Sequence, residues 1–569
     1  MITGITIENF KGIRDRVKLD FRPITLLFGA NSAGKSSILH ALHYAREVFE
    51  RHNLDADQTI AGGKYIDLGG FEHFVNRRDQ DDVLHAQRLL RLRIDLAVTA
   101  KELPSFDSNF DLMSKQLDLD FHSLLNEIES AAVELAIGWS TVENCPYVAS
   151  TTIFFNDLEL AQIVTLQNLR GFVVKFTKTV PDPNDEDSIV EVSTLDHPCL
   201  KRVRDTRLND ETRQAELFEH ETLLQTALAF CGDMLSPEGN RIDVSGRGDA
   251  LPNLDDPLDF DLEPFSPTGD EERDECLASK SNFAGDLVRA VSDLVLGPCQ
   301  LIRDNLKQFR YLGPLRDTPP RNFQPPRFPD PSRWSSGLGA WDALQNGSDL
   351  LVDAVGNWLG DPDNLNAGCR VERRTLLELD YADPMVRALM SRRAFDDIDE
   401  HVGSHLAGAP TSSRVVIIPN NADIELRPHD VGIGISQVVP VIVTALDGSE
   451  RLLAIEQPEL HIHPRLQAEI ADLFIEAIHD NKHRFIIETH SEHLILRLLR
   501  RIRETEVNKA PTDRSLRTDE LAIYYLRQED GSSRALEIEV DVKGEFIQPW
   551  PDDFFEIDFY ERFKTGDEG

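Results

Sequence analysis

A glycine-rich segment near the N-terminus, Gly29–Ser36, fits the pattern GxxxxGK[ST]. The apolar run Pro23–Phe28 precedes it, and apolar residues recur at helical spacing across residues 38–49. This order predicts a buried strand, a loop and a helix, the context in which such a loop cradles phosphate. Glycine lets the backbone approach an anion closely, and the amides of the loop and of the helix start point at it. We therefore expect Lys35 to neutralise nucleotide phosphates and Ser36 to ligate Mg²⁺.

The C-terminal half alternates short apolar runs with amphipathic stretches. Arg451–Ile455 and Arg484–Ile487 are predicted buried strands, and helices are predicted from Pro464 and over Ser491–Arg503. Strands that are apolar throughout and alternate with helices are typical of a mostly parallel sheet covered on both faces. The sequence therefore predicts an α/β fold.

Three further segments carry polar residues beside these predicted strands. Glu456 ends one strand, where a carboxylate can position Mg²⁺ beside a phosphate loop. His490 follows the next strand and could donate a hydrogen bond to a γ-phosphate or to the attacking water, although Ser491 as a simple helix cap explains the same segment. Gly432–Gln437, ahead of an apolar helix, could present amides to phosphate, although such turns are often only turns.

Taken in this order, the motifs resemble those of the ABC-type ATPases of the RecF/SMC/OLD (overcoming lysogenisation defect) group. The resemblance covers about 1–78 and 306–569, and it also includes Tyr311–Arg316 and the tail from Gly544. It implies a P-loop ABC-type ATPase head of two lobes with a mixed α+β insertion, an uncharacterised C-terminal domain and no Toprim nuclease. It also implies ATP and Mg²⁺ as cofactors, and heads that pair as a homodimer around two ATP molecules. In the Walker A loop, the nucleotide-binding residues that it implies are Gly29, Asn31, Ser32, Ala33, Gly34, Lys35, Ser36 and Ser37. It also implies a divergent signature segment that contacts the γ-phosphate bound to the other chain. The residues of this segment are Gly432, Gly434, Ser436 and Gln437.

The resemblance also assigns Glu456 to the Walker B motif, with Ser36 and Glu456 at the metal, and His490 to the switch histidine. One position departs from the family pattern. Gln457 stands where a catalytic acid usually follows the metal-linked carboxylate, and glutamine orients water but is a poor proton acceptor. Either hydrolysis is slow and the head is an ATP-gated switch, or Glu459 acts as the base.

The net charge and the distribution of apolar residues limit which partners and which location we expect for this chain. The chain has 569 residues and a net charge of −39, which argues against a protein that coats DNA nonspecifically but leaves a local basic groove open. The sequence shows neither a membrane-spanning run nor a secretory leader, so we expect a cytoplasmic protein without a membrane partner. The family context suggests DNA transactions or anti-phage defence with a separate effector protein.

The chain is divided in this interpretation into four parts: 1–78 with Walker A, an insertion at 79–305, the ATPase core at 306–505, and a C-terminal tail domain at 506–569. Within the insertion, strands are expected over 87–98, 131–137 and 151–164, and helices over 209–234 and 283–309. Residues 235–275 are rich in Pro, Gly and Asp and are expected to form a surface loop or to be partly disordered.

Several alternatives stay open. A non-catalytic ATP-gated scaffold would explain Gln457, and a metal-dependent nuclease could use Glu537, Glu539 and Asp541, which alternate on a predicted strand. A P-loop kinase is a weaker idea. The remaining candidates are a histidine metal cluster (His461, His463, His490, His493), a switch-coupling turn at Asp67–Phe71, and nucleic-acid contacts by two basic patches (Arg497, Arg500, Arg501, Arg503; Arg202, Arg204, Arg207). The alternative explanations are the loop that follows Walker B for the histidines, a plain turn for Asp67–Phe71, and a solvated face or intramolecular ion pairs for the arginines.

Overall fold

The structure is a computed structural model of the chain. The structure describes residues 1–76, 89–104, 128–166, 171–182, 185–194, 196–201, 241–245, 248–258, 292–382, 411–422, 424–448 and 450–551, together with 269, 289, 386, 387 and 390.

A six-stranded, mostly parallel sheet forms the centre of the molecule. Its strands are, in spatial order, β14 (Arg310–Leu312), β17 (Leu452–Glu456), β18 (Arg484–Glu488), β3 (Ile24–Gly29), β19 (Leu521–Glu529) and β20 (Ser532–Glu537). All neighbouring pairs are parallel except β19 with β20. All residues of β3 and β17 are buried, and so are the last four residues of β18, because both faces of the sheet are covered.

An eight-stranded antiparallel sheet forms a second layer. In spatial order it contains β13 (Arg241–Ser245), β10 (Gly171–Lys175), β9 (Leu158–Thr165), β8 (Cys145–Phe155), β7 (Ser130–Ser140), β6 (Leu90–Ala97), β1 (Ile2–Glu8) and β2 (Val17–Asp20). Three strand pairs lie apart from both large sheets: β4 (Gln58–Thr59) with β5 (Gly63–Asp67), β11 (Thr177–Asp182) with β12 (Asp185–Ser193), and β15 (Cys369–Leu377) with β16 (Thr411–Pro419).

The described helices cover the central sheet on its two faces. They are α1 (Lys35–Arg51), α2 (Phe71–Phe74), α3 (292–308), α4 (Leu338–Asn346), α5 (Asp349–Gly360), α6 (Ile433–Leu446), α7 (Pro464–Asp480) and α8 (Glu492–Glu506). Among the residues described, no helix is both long enough and apolar enough to cross a membrane.

Two hydrophobic cores lie on opposite faces of the central sheet. Leu27 of β3 packs in the core shared with α1 and the antiparallel sheet. Its neighbours Leu26 and Phe28 pack in the core shared with α4 to α8. This alternation follows from the two-residue period of a strand and produces two lobes around one sheet. The predicted α/β P-loop ATPase head of two lobes with a mixed insertion is confirmed in this architecture.

Most of the predicted elements are present. The strand–loop–helix at Gly29–Ser36 and the strands and helices of residues 451–503 all form as expected. The stretch 151–164 spans two strands, because Asn156 and Asp157 adopt positive φ values of 48° and 61° and turn the chain between β8 and β9. The predicted helix at 209–234 lies outside the described residues.

The expectation of a surface loop or partial disorder at 235–275 is wrong where the chain forms a strand, and residues 248–258 form an irregular segment that is partly buried. Arg241–Ser245 is the edge strand β13, paired with β10. Ala250, Leu251 and Leu254 are buried in the core next to the antiparallel sheet. Apolar residues at these positions outweigh the turn-forming composition around them, because tertiary burial overrides local propensity.

The division into four parts stays a prediction, and the two large sheets run across two of its boundaries. β1 and β2 share the antiparallel sheet with the insertion strands β6 to β10. β19, from the predicted tail domain, lies directly beside β3 in the central sheet.

Candidate functional site

The glycines of the Walker A loop occupy positions that other residues would strain. Gly29 and Gly34 have φ values of 138° and 105°, in the region that L side chains rarely adopt. A Cβ on Gly29 would lie 2.1 Å from the carbonyl oxygen of Leu526 in β19, and one on Gly34 would lie 2.4 Å from Ser533 Oγ. The loop is therefore held against β19 and β20, strands that come from the far end of the chain.

Lys35 and Ser36 begin α1 and face the carboxyl end of the central sheet. Lys35 Nζ donates hydrogen bonds to the carbonyl oxygens of Gly29 (2.9 Å) and Ala30 (3.0 Å), and burial lowers the pKa of this ammonium. Ser36 Oγ donates to Glu488 Oε2 at 2.9 Å, and Glu488 Oε1 lies 3.9 Å from Lys35 Nζ. The lysine and the hydroxyl that should meet phosphate and metal thus lie together, beside a carboxylate.

The other predicted residues of the loop lie around this pair. Asn31 and Ser32 are exposed at the loop tip, and Ser32 has a φ of 62°. Ala33 is buried, and the Ser37 amide donates to the Gly34 carbonyl at 3.1 Å in the first turn of α1.

Two buried carboxylates face each other across the ends of adjacent strands. Glu456 of β17 is the register partner of Glu488 of β18, and β18 lies next to β3. Tyr311 Oη donates to Glu456 Oε1 at 2.8 Å. Burial raises the pKa of Glu456 to about 7, with a second contribution from the charge of Glu488, and burial also raises the pKa of Glu488. Neither Glu488 nor Tyr311 was predicted as a site residue from the sequence; the signal for Glu488 was an acid at the end of a buried strand, directly before Thr489 and His490.

The turn after β17 is bonded to the switch loop, Glu488–Ser491. Gln457 has a φ of 43°, and its amide donates to the Glu488 carbonyl at 2.7 Å. Glu459 accepts hydrogen bonds from Thr489 Oγ1 (2.9 Å) and from the His490 amide (2.7 Å). The pKa of Glu459 is raised and the pKa of His490 is lowered, and burial is the largest cause of both shifts. In this structure Glu459 therefore holds the switch loop with both of its oxygens.

The signature segment, Gly432–Gln437, is linked to the same turn by Arg316. Arg316 Nη2 donates to the carbonyl oxygens of Glu456 (2.7 Å) and Gln457 (3.2 Å). Gln437 Nε2 donates to the Arg316 carbonyl at 2.7 Å, and the Arg316 amide donates back to Gln437 Oε1 at 3.3 Å. Burial lowers the pKa of Arg316 to about 10. Arg316 has no predicted role in the sequence, since only tertiary contacts reveal this bridge.

The two ends of the signature segment differ in exposure. Gly432 is exposed, Ile433 next to it is 59% exposed, and the N-terminus of α6 has no side-chain cap. Gly434 is partly buried, with room limited by the His461 carbonyl. Ser436 and Gln437 are buried, and Ser436 Oγ donates within its own helix to the Ile433 carbonyl at 2.9 Å. The start of the segment is thus exposed at the surface, where a partner could contact it, and its end is buried in the interior of this chain.

The donor set near Ser36 fits Mg²⁺. Ser36, Glu456 and Glu488 offer hydroxyl and carboxylate oxygens, the ligands that Mg²⁺ prefers. Within the described ranges, no three His, Cys, Asp or Glu residues are grouped so as to hold a metal by themselves. An ion that shares nucleotide phosphate oxygens suits such a site, since Mg²⁺ is commonly held by one or two carboxylates plus phosphates.

The other candidates have structural roles in this chain. The four histidines form no metal cluster among the residues that the structure covers, and His463 caps α7 by accepting from the Arg465 amide at 3.2 Å. The turn at Asp67–Phe71 connects β5 to α2. The patch Arg202, Arg204 and Arg207 lies outside the described residues.

The acids of the nuclease alternative are not gathered into a site. β20 ends at Glu537, so the predicted strand does not reach Glu539 or Asp541. Glu537 Oε1 accepts from Arg22 Nη2 at 3.1 Å. Asp541 Oδ1 accepts from the amides of Lys543 and Glu545 at 2.9 Å each and so closes a turn.

The arginines of α8 are engaged within the chain. Arg497 and Arg501 both contact the fully buried Asp472, at 2.5 and 2.7 Å. Arg500 pairs with Glu504 at 2.6 Å, and Arg503 Nε donates to the Lys543 carbonyl at 2.9 Å. Intramolecular ion pairing therefore explains this basic patch.

Comparison with protein families matches residues 1–137 and 374–495 to the AAA ATPase domain. The match includes the Walker A loop and both strands that end in carboxylates. Over these residues, which make up less than half of the chain, the sequence is similar to that domain family. Comparison with curated proteins gives no match.

Solved structures with some likeness include heads of SMC proteins and RecF. An SMC head bound to the C-winged helix domain of ScpA has 10% identity and a TM-score of 0.36, covering 95% of this chain and 98% of that one. The SMC head domain from Thermotoga maritima has 8% identity and a TM-score of 0.32, with 95% and 99% covered. The recombination mediator protein RecF has 10% identity and a TM-score of 0.26, with 94% and 98% covered.

Proposed function

We propose that this chain binds and hydrolyses ATP with Mg²⁺ as an ABC-type ATPase of the RecF/SMC/OLD group. The observation that carries the proposal is the placement of Lys35 and Ser36 against the buried carboxylates of Glu456 and Glu488, at the carboxyl edge of a parallel sheet. Ligands of open α/β sheets bind at this edge. A lysine, a hydroxyl and acids at one loop provide what a Mg²⁺–nucleotide requires.

Binding requires Lys35 to exchange its partners. Its ammonium bonds two loop carbonyls, Gly29 and Ala30, and would turn to the phosphates of an entering nucleotide. The amides of the loop and of the α1 N-terminus then face the same phosphates. When bound, Mg²⁺ neutralises charge on the phosphate oxygens.

For hydrolysis we assign Gln457 to orient the attacking water and His490 to bond the γ-phosphate or that water. Burial and the charge of Lys35 lower the pKa of His490, so its imidazole is neutral near pH 7 and can both donate and accept. Glu459, whose oxygens bond Thr489 and the His490 amide, positions the switch loop. It could serve as the base only after releasing these bonds.

The active unit in this proposal is a homodimer. The exposed start of the signature segment, Gly432 and Ile433, lies at the uncapped N-terminus of the 14-residue helix α6. Such a helix end can bind phosphate through its amides and dipole. Contact with the γ-phosphate on the other chain would then make dimerisation depend on ATP. The resemblance alone supports DNA transactions or anti-phage defence with a separate effector as the cellular role.

Phosphate release from ATP by the purified chain, with and without duplex DNA, tests the proposal. Lys35→Ala should abolish turnover, and ATP should shift the wild type from monomer to dimer in light scattering. Stimulation by DNA would indicate a nucleic-acid clamp or sensor. Failure of the wild type to bind ATP would refute the proposed function.

A second candidate is an ATP-gated scaffold with little turnover. Two observations favour it: a glutamine at position 457, and the engagement of both Glu459 oxygens by the switch loop. Bound but unhydrolysed ATP in the wild type, with turnover gained in Gln457→Glu, would establish this alternative.

A further inference from the structure

We infer that Glu488 is a second carboxylate of the magnesium site, acting together with Glu456 and positioning the metal-binding hydroxyl of Ser36. This inference rests on the proposed ATP-binding function and names a residue that the motif pattern leaves without a role. Its basis is the contact between β18 and the start of α1.

The strand order determines which acid meets the Walker A loop. β18 lies between β17 and β3, so Glu488 is one strand closer to the loop than Glu456. Ser36 Oγ donates to Glu488 Oε2 at 2.9 Å, and Lys35 Nζ is 3.9 Å from Glu488 Oε1. Glu456 instead receives the Tyr311 hydroxyl on its Oε1. The acid in contact with the metal-binding hydroxyl is therefore Glu488.

The charges around the two acids favour a divalent cation. Glu456 and Glu488 are only 7% and 5% exposed, and they are partners in the sheet register. The Lys35 ammonium acts on both carboxylates, and Arg316 also acts on Glu456. Once Lys35 turns to phosphate, neither is offset by it, and buried charges require compensation. A metal ion at Ser36 provides this compensation for both.

A merely structural role for Glu488 makes a different prediction. If the carboxylate only anchors Ser36, a neutral side chain of the same shape should serve equally well, because the amide oxygen of glutamine also accepts a hydrogen bond. Glu488→Gln keeps the acceptor and removes the charge. The variant therefore separates a metal-site role from an anchoring role.

The experiment measures the dissociation constant of ATP twice for each variant, in Mg²⁺ and in EDTA, and compares the two. The dissociation constant in EDTA divided by the one in Mg²⁺ is the ratio that reports how much the metal contributes to binding. In Glu488→Gln we expect this ratio to fall about 10- to 100-fold, the usual effect of losing a carboxylate that supports a metal site. Binding in EDTA should be retained or tighter, because repulsion of the phosphates is reduced. Glu456→Gln should lower the ratio in the same way.

Glu492→Gln is the matched control, since it removes a partly exposed carboxylate at the start of α8, four residues along the chain. Its ratio should equal that of the wild type. Circular dichroism and retained binding in EDTA show that each variant is folded. A Ser36→Ala, Glu488→Gln double variant should lose less than the sum of the two single losses, because the two groups act on one ion.

An unchanged ratio in Glu488→Gln beside a reduced one in Glu456→Gln overturns the inference and leaves the proposed function intact. Additive losses in the double variant also count against it. If the wild type binds no ATP in either condition, the proposed function itself fails, and the inference fails with it.

Discussion

Replacing Glu456 by glutamine should raise the free energy of unfolding above neutral pH when neither nucleotide nor Mg²⁺ is added. Glu456 is 7% exposed, and burial, with the neighbouring charge of Glu488, raises its pKa from 4.5 to about 7. A carboxylate buried beside another carboxylate opposes folding whenever it is ionised. A glutamine side chain at this position would have the same shape and could still accept the hydrogen bond from Tyr311, so the variant removes mainly the charge.

The magnitude follows from the two pKa values. At about 1.4 kcal/mol for each pKa unit, a rise from 4.5 to about 7 corresponds to about 3 kcal/mol. The sign follows from proton binding. Between these pH values the folded state binds more protons than the unfolded state, so stability falls as pH rises through this window. The cost is absent below pH 4.5 and complete above pH 7.

Urea unfolding of the wild type and Glu456→Gln, without nucleotide or metal, measures this effect at pH 5 and pH 8. We expect the variant to gain roughly 3 kcal/mol relative to the wild type at pH 8 and much less at pH 5. Adding Mg²⁺ and ATP should remove the advantage, because the charge then serves the bound ion. An equal difference at both pH values would refute the electrostatic reasoning.

Three further predictions concern the loop, the α7–α8 contact and the switch loop. Gly29→Ala should weaken ATP binding at least about tenfold in a fluorescence titration, since its Cβ would lie 2.1 Å from the Leu526 carbonyl oxygen at a φ of 138°; unchanged binding would contradict the loop geometry. Asp472→Ala should cost about 3–5 kcal/mol in urea unfolding, because Arg497 and Arg501 lose a shared and fully buried counter-ion, although Arg501 keeps its contact with Glu504; a loss below about 1 kcal/mol would show that these pairs behave as surface pairs. Glu459→Gln should lower kcat about tenfold or more, from the loss of about 1.5–3 kcal/mol of charge-assisted bonding, with the ATP dissociation constant unchanged; an equal loss of binding would count against a positioning role.

Local patterns were sufficient for the elements nearest the nucleotide. β3, the Walker A loop and α1 form where the apolar run, the glycines and the helical spacing predict them. β17, β18 and the helices after them also match, because buried strands and amphipathic helices have distinct periods. The prediction was wrong at Arg241–Ser245, where an edge strand forms inside a stretch with a turn-like composition.

Candidate residues on a single motif could be found in the same way. Lys35, Ser36 and Glu456 are recognisable from the segments that contain them. Arg316 could not be recognised in this way. Its contacts are with the Walker B turn and with α6, and both lie more than a hundred positions further along the chain than Arg316 itself. The α8 arginines looked like an exposed basic patch until Asp472 of α7 was placed between two of them.

By itself, the sequence determined the loop chemistry and the alternation of strands and helices, since both follow from neighbouring residues. Only the tertiary structure decided the order of the strands, and with it which acid lies nearest the Walker A loop. β18 enters the sheet between β17 and β3, and therefore Glu488, rather than Glu456, contacts Ser36. Strand order depends on how both faces of the sheet are buried together, which no local pattern encodes.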